Sequence, residues 1–219
     1  MTNILCPSQY IHNLMNFDGN LLCHSRRTAE YAVILAKNNV NLFERYAQAE
    51  KTEVLQAIYD AGYLHDLGKI MYSENLLNSK EKLTASEKKV MEQHPVRTVE
   101  ILACIKGFSE QSEVYQTIVK NACLYHHEKC DGSGYPYGLC KKDIPMEARV
   151  ISVADVLYAL TSERLYKQTW GFDEAIEYLN KMLIEWHEDE LQSVFRCAYD
   201  ELKTAYKTNA TGSNWGAIE

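Results

Sequence analysis

Apolar residues along this chain recur at intervals of three and four, and the pattern predicts one helix after another. His24, Thr28, Tyr31, Ala32 and Leu35 fall on one face of a helix from about Leu21 to Lys37. Asn41 with Glu44 reads as a capping box for the next helix. Val54, Ile58 and Ala61 form the stripe of a third, with His65 on that stripe and Asp66 directly after it. A polar connection over roughly 72–83 leads to a second capping box, Thr84 with Glu87. His94-Pro95 has the form of a helix start, with proline at the first helical position. Val114, Ile118, Val119, Ala122 and Cys123 mark a further helix, which His126 continues. Residues 148–161 are apolar nearly all round and predict a helix buried at the centre. Phe172, Ile176, Leu179 and Leu183, then Leu191, Val194, Phe195, Ala198 and Leu202, give two closing amphipathic helices. Val150–Leu157 has strand-like content, but its helix-forming neighbours and the lack of hairpin partners argue against a strand. The expected fold is all-α, with one helical domain over 21–207, a short N-terminal segment over 1–20 and a flexible tail over 208–219.

Composition narrows the function without naming it. The 219 residues suffice for one substantial core, and a net charge of −7 argues against nonspecific nucleic-acid binding. An anionic ligand would need a local cationic pocket. The seven cysteines never occur as Cys-x-x-Cys, which fits reduced thiols better than a disulfide framework or a zinc knuckle. Neither a signal-peptide pattern nor an apolar run of membrane-spanning length is present, so the expectation is a cytoplasmic protein that binds neither DNA nor membrane.

Polar residues at apolar positions carry the chemistry. His65 and Asp66 end an apolar helix, and Asp155 interrupts the run Val150–Leu157. A buried carboxylate without a partner costs several kcal/mol, so Asp155 needs a metal, a cation or a dense set of hydrogen bonds. His126 and His127 are adjacent, and neighbouring helical residues point about 100° apart. They can converge on one centre only where the helix ends over a cavity that other ligands also line. Singly, each residue has a structural explanation: a satisfied core histidine, an N-cap, a salt-bridge partner. Five histidines and two aspartates at the apolar ends of successive helices are harder to explain that way, and imidazole with carboxylate suits iron, manganese or zinc. Asp66 has two oxygens with which to bridge two ions, the arrangement that hydrolyses phosphate esters.

Leu64-His65-Asp66-Leu67-Gly68-Lys69 resembles the His-Asp signature of the HD phosphohydrolase superfamily. The stretch from His126 through Gly134-Tyr135-Pro136 resembles the extended motif of its HD-GYP subfamily. Ile144-Pro145, Ala148–Ile151, Ala154-Asp155-Val156 and Ala159–Arg164 follow in the same order and spacing, so the resemblance covers about 21–185. It implies a single HD-type domain with a central metal site that hydrolyses cyclic di-GMP to the linear dinucleotide. Two divalent transition-metal ions are implied, iron or manganese ahead of zinc. His24, His65, Asp66 and Asp155 match the ligands of one metal, and Asp66, His94, His126 and His127 those of the second. Lys69 and Asp66 take the catalytic roles. Lys69, Gly134, Tyr135, Pro136, Arg164 and Lys167 match the substrate-binding positions. The implied partners are a cyclic dinucleotide, with another signalling domain or self-association as further candidates.

Three positions depart from the family pattern. Asn20 stands where members with a third metal carry glutamate, which favours two metals and arrest at the linear dinucleotide. Thr98 replaces a glycine in the His-x-x-x-Gly pattern. Tyr158 replaces an acid commonly found three residues after Asp155, and a phenol supplies no carboxylate at neutral pH. The competing class is therefore a weakly active or inactive cyclic-dinucleotide receptor. The expectation over these 219 residues is the predicted domain without a receiver or sensor domain beside it.

Overall fold

The computed structural model describes residues 19–77, 81–162, 169–186 and 188–210, and among these there is no strand. The helices are α1 (Gly19–Lys37), α2 (Val40–Arg45), α3 (Lys51–Leu64), α4 (Glu74–Leu77), α5 (Ala85–Met91), α6 (His94–Cys104), α7 (Glu113–Tyr125), α8 (Met146–Thr161), α9 (Phe172–Glu185) and α10 (Asp189–Ala210). Short 3-10 turns cover Leu67–Met71 and Lys141–Asp143. No helix among the described residues is long and apolar enough to cross a membrane.

Four helices close a ring: α1 packs on α3, α3 on α7, α7 on α8 and α8 on α1. Each gives the ring the stripe its sequence predicts. Ala32 and Leu35, Val54 and Ile58, Ile118 and Val119, and Val150 and Leu157 are all withdrawn from solvent. Burying a large aliphatic side chain contributes about 1.5–3 kcal/mol, so this ring is the main source of stability. Between α1 and α3 the backbones nearly touch. A Cβ at Gly62 would lie 2.6 Å from Ala29 Cα, so only glycine fits there. The central position of α8 follows from its apolar circumference, and α9 and α10 pack outside, α9 against α8 and α10 against α1.

Caps set the starts of the helices. Thr84 forms the predicted capping box with Glu87, whose carboxylate accepts from Thr84 N at 2.8 Å. Ser112 caps α7 by accepting from Tyr115 N at 3.0 Å. The cap of α2 is Asn39, not Asn41: Asn39 has extended backbone and accepts from Leu42 N at 3.0 Å. Helix α2 starts at Val40, which places Asn41 inside its first turn. Two asparagines two residues apart offer alternative registers, and Leu42, fully buried, fixes which one forms.

Candidate metal centre

The ring of helices gathers the predicted ligands at one end. His65 directly follows α3 and His126 directly follows α7, so two helix C-termini point their negative dipole ends into the site, a field that favours cations. His24 comes from early α1, Asp155 from α8, and His94 from the start of α6, which packs on the turn Leu67–Met71 and on α7. All seven side chains converge as two groups. Asp66, His94, His126 and His127 form one and His24, His65 and Asp155 the other, with the ligand atoms of each group within 4.8 Å of one another. Asp66 faces both: Oδ1 lies 3.1 Å from His94 Nε2, and Oδ2 lies 3.1 Å from His24 Nε2.

Hydrogen bonds behind the rings decide what faces inward. His65 Nδ1 lies 2.7 Å from the Gly62 carbonyl, His94 Nδ1 2.8 Å from that of Met91, and His126 Nδ1 2.9 Å from that of Cys123. A carbonyl can only accept, so Nδ1 carries the hydrogen in each ring and Nε2 of the neutral ring presents a lone pair. Burial pushes the imidazoles of His65 and His126 below their ordinary value, and the neighbouring histidines push His126 lower still. Burial, then His94, brings His127 down to about 3. The inward nitrogens crowd together: His24 Nε2 is 3.1 Å from the His65 Nε2 lone pair, and the lone pairs of His94 and His126 are 3.4 Å apart. Asp66 is also ionised. Burial works to raise its carboxyl, but Lys69 and then His65, with His24 and His94 adding, hold it well below the usual carboxylate range. Among the described residues its Oδ1 has no hydrogen-bond partner. A buried set of inward lone pairs and a carboxylate is repulsive on its own and fits divalent metal ions.

The turn that carries Asp66 is strapped from outside. A Cβ at Gly68 would meet the His94 carbonyl oxygen at 2.2 Å, so α6 lies directly against this turn. Thr98 Oγ1 accepts from Gly68 N at 2.8 Å and donates to the His65 carbonyl at 3.1 Å. One buried hydroxyl thus spans the His-Asp dipeptide. In the sequence Thr98 reads only as an oversized substitute for glycine, because a bond across thirty residues leaves no local signal.

Lys69 pairs with Asp66, Nζ to Oδ2 at 2.5 Å, with a quarter of its side chain exposed. The Gly134-Tyr135-Pro136 loop lies beside the group of Asp66, His94, His126 and His127. Tyr135 stacks on His127 with ring centroids 4.6 Å apart, and the Tyr135–Pro136 bond is cis. A Cβ at Gly134 would meet Lys129 N at 2.4 Å, so the loop folds back tightly on its own stem. Asp131 accepts from Ser133 N at 2.9 Å, the tight turn expected for Asp131-Gly-Ser-Gly. Buried Glu128 holds the far side by accepting from Tyr137 N at 2.7 Å and Leu139 N at 2.9 Å, a role the sequence reading does not assign it. Tyr158 does face the site, its ring centroid 4.9 Å from that of His24. Arg164 and Lys167, His12 and His187, and the side chain of Asn20 lie outside the described residues.

A helical ring with an imidazole and carboxylate cluster at one end defines the HD class of metal-site domains. The chain belongs to the HD domain family, whose family model matches residues 24–190, and within it to the HD-GYP type. It is similar to the cyclic di-GMP phosphodiesterase response regulator RpfG of Xanthomonas campestris, with 43% identity over 58% of this chain and 32% of the relative. It is also similar to the 3'3'-cGAMP-specific phosphodiesterase 2 of Vibrio cholerae, with 33% identity over 78% of this chain and 31% of the relative. The chain thus spans about a third of the length of these curated relatives. In fold it resembles the HD domain of the Listeria monocytogenes phosphodiesterase PgpH, solved in complex with cyclic di-AMP. That likeness has a TM-score of 0.59 and 14% identity, and covers 96% of this chain and all of that one.

Proposed function

We propose that this chain is a metal-dependent phosphodiesterase that opens cyclic di-GMP, or a closely related 3'3'-linked cyclic dinucleotide, to the linear dinucleotide. The carrying observation is the set of inward Nε2 lone pairs of His65, His94 and His126 around an ionised, doubly facing Asp66, a repulsive arrangement that bound cations would relieve. The relatives named as phosphodiesterases of these dinucleotides support the substrate class.

Asp66, His94, His126 and His127 would hold one ion, and His24, His65 and Asp155 the other, with Asp66 shared. Iron or manganese suits this donor set, which has no thiolate. Bound divalent ions would supply Lewis-acid charge at the phosphoryl oxygens and acidify water for attack at neutral pH. The chain's own residues do the rest. The three carbonyl-anchored imidazoles hold their lone pairs in fixed directions, so little reorganisation is needed during reaction. Lys69, at the exposed edge of the cluster, can turn from Asp66 to a phosphate oxygen and stabilise the charge that grows there. Tyr135, stacked on His127, offers its ring edge and a fixed backbone beside the bound nucleotide and limits its pose. Arg164 and Lys167 would add cationic contacts to the substrate.

Tyr158 favours a second reading, a receptor that binds the dinucleotide with little turnover. Its ring occupies the face of His24 where the family pattern supplies an acid, and a phenol cannot orient a nearby lysine as a carboxylate can. Metal analysis with product chromatography on cyclic di-GMP separates the readings. The enzyme reading expects close to two transition-metal ions per chain, linear product accumulating well ahead of GMP, and loss of both metal and product in Asp66→Ala. Full metal content in Asp66→Ala, or no metal under any reconstitution, would show the site assignment to be wrong. Binding without product would leave the receptor.

A further inference from the structure

The two halves of the cluster are not built alike. In the half formed by Asp66, His94, His126 and His127, both His94 and His126 are buried to 1% exposure and pinned through Nδ1 to a backbone carbonyl. Asp66 turns its oxygen without a hydrogen-bond partner, Oδ1, toward this half. In the other half only His65 is pinned that way. Among the described residues His24 Nδ1 is buried with no hydrogen-bond partner, so none of them fixes this ring's tautomer or direction through a bond from behind, and the rings of Tyr158 and His65 pack against it. Asp155 is 21% exposed and accepts no hydrogen bond from any described residue, its ion-pair neighbour being His24 Nε2 at 3.5 Å. The Asp66 oxygen that serves this half, Oδ2, is also the one Lys69 holds at 2.5 Å.

Ligands fixed before binding lose little freedom on coordination, and removal of an outer-shell partner costs about 10–100-fold in metal affinity. One half has two of its three rings pinned and the third, His127, stacked on Tyr135, with a free carboxylate oxygen and no competing cation. The other has a loose imidazole, a partly exposed carboxylate and a lysine already on the shared oxygen. We propose that the centre loads unequally: the half built on His94 and His126 fills first and tightly, and the half built on His24 and Asp155 is exchangeable, with Lys69 competing for its place. This rests on the metal reading above and adds to it an order of filling. It also links the second ion to the lysine, because an ion that takes Oδ2 releases the Lys69 ammonium toward the substrate side.

The test is a titration of manganese(II) into chelator-stripped full-length protein, followed by calorimetry and by electron paramagnetic resonance. The expected result is two steps whose dissociation constants differ by about 10-fold or more. The spectrum should be that of isolated ions up to one equivalent, with spin coupling only beyond it. In His24→Ala the first step should persist and the second disappear. In Lys69→Met the second step should tighten by about 10-fold while the first stays put, because a competing cation beside the shared oxygen is gone. Two equal steps, spin coupling from the first additions, loss of the first step in His24→Ala, or an unchanged second step in Lys69→Met would each overturn the unequal loading while leaving a two-metal site standing. No manganese uptake at all would overturn the metal reading itself and this inference with it. Near-ultraviolet circular dichroism of each variant identifies any that fails to fold, and Lys69→Met, altered at a partly exposed side chain, then decides.

Discussion

Thr98→Val isolates the strap over the His-Asp turn. Valine nearly matches threonine in shape, so the substitution removes the hydroxyl and leaves the packing. Two interactions go at once: the bond that Gly68 N donates at 2.8 Å and the bond to the His65 carbonyl at 3.1 Å. Thr98 is fully buried, so water cannot replace the hydroxyl without opening the seam between α6 and the turn. A buried group left without its partner costs about 1–3 kcal/mol, and the two groups share one hydroxyl, so the expected loss is about 2–4 kcal/mol. For a domain of this size each kcal/mol moves the melting temperature by about 2–4 °C, so Thr98→Val should melt roughly 5–15 °C lower. The loss should be felt at the metal centre too, because the freed His65 carbonyl and Gly68 N flank Asp66. Thermal unfolding with and without chelator measures the first effect, and manganese titration the second. Thr98→Ser keeps the hydroxyl and loses only a methyl group, so it should recover most of the metal affinity. A Thr98→Val protein that melts within a degree of wild type, or a Thr98→Ser protein as damaged in metal binding as Thr98→Val, would refute the strap.

The Glu128 carboxylate accepts two backbone hydrogen bonds, and Glu128→Gln turns one acceptor oxygen into a donor facing an amide. The amides of Tyr137 and Leu139 should then exchange about 10-fold faster by hydrogen–deuterium exchange, and unchanged protection there would refute the clasp. Burial, then the hydrogen bond to Glu188, raises the Cys130 thiol to about 12, so at pH 8 almost none of it is thiolate. Iodoacetamide labelling read by mass spectrometry should mark exposed Cys104, Cys140 and Cys197 and spare Cys130 and Cys123 in the folded protein, and equal labelling of Cys130 and Cys140 would contradict this. Tyr158→Asp should raise single-turnover hydrolysis of cyclic di-GMP more than it tightens binding, because it returns an orienting carboxylate to the His24 face. A slower Tyr158→Asp alongside brisk wild-type turnover would sink that argument.

Most of the frame was legible in the sequence because helical periodicity survives wherever a helix has one dry face. The stripe of Val54, Ile58 and Ala61 and the all-round apolar α8 are of this kind. The ligand set was legible for a different reason: ionisable residues at positions that must be dry stand out against their neighbours, as Asp155 does inside Val150–Leu157. Local pattern failed where two registers fitted equally, and Asn39 rather than Asn41 capped α2 for that reason. It also could not reach interactions that exist only across the fold. The Thr98 strap, the Glu128 clasp and the partition of the ligands into a pinned half and a loose half all depend on which backbone groups arrive beside which side chains.

The missing side chain at Gly62 has a consequence for anyone who would retune this centre. His65 stands three residues beyond Gly62 and His24 five residues before Ala29, so the gap between those two rings is gauged by a backbone contact that touches neither of them. A methyl group at position 62 would have to move from 2.6 Å to an ordinary contact with Ala29 Cα, prising α1 and α3 apart by roughly 1 Å. Bond lengths from protein ligands to different biological metals span only about 0.5 Å. The glycine therefore acts as a shim, and the bore of the metal cage can be reset from the scaffold without altering a single coordinating atom.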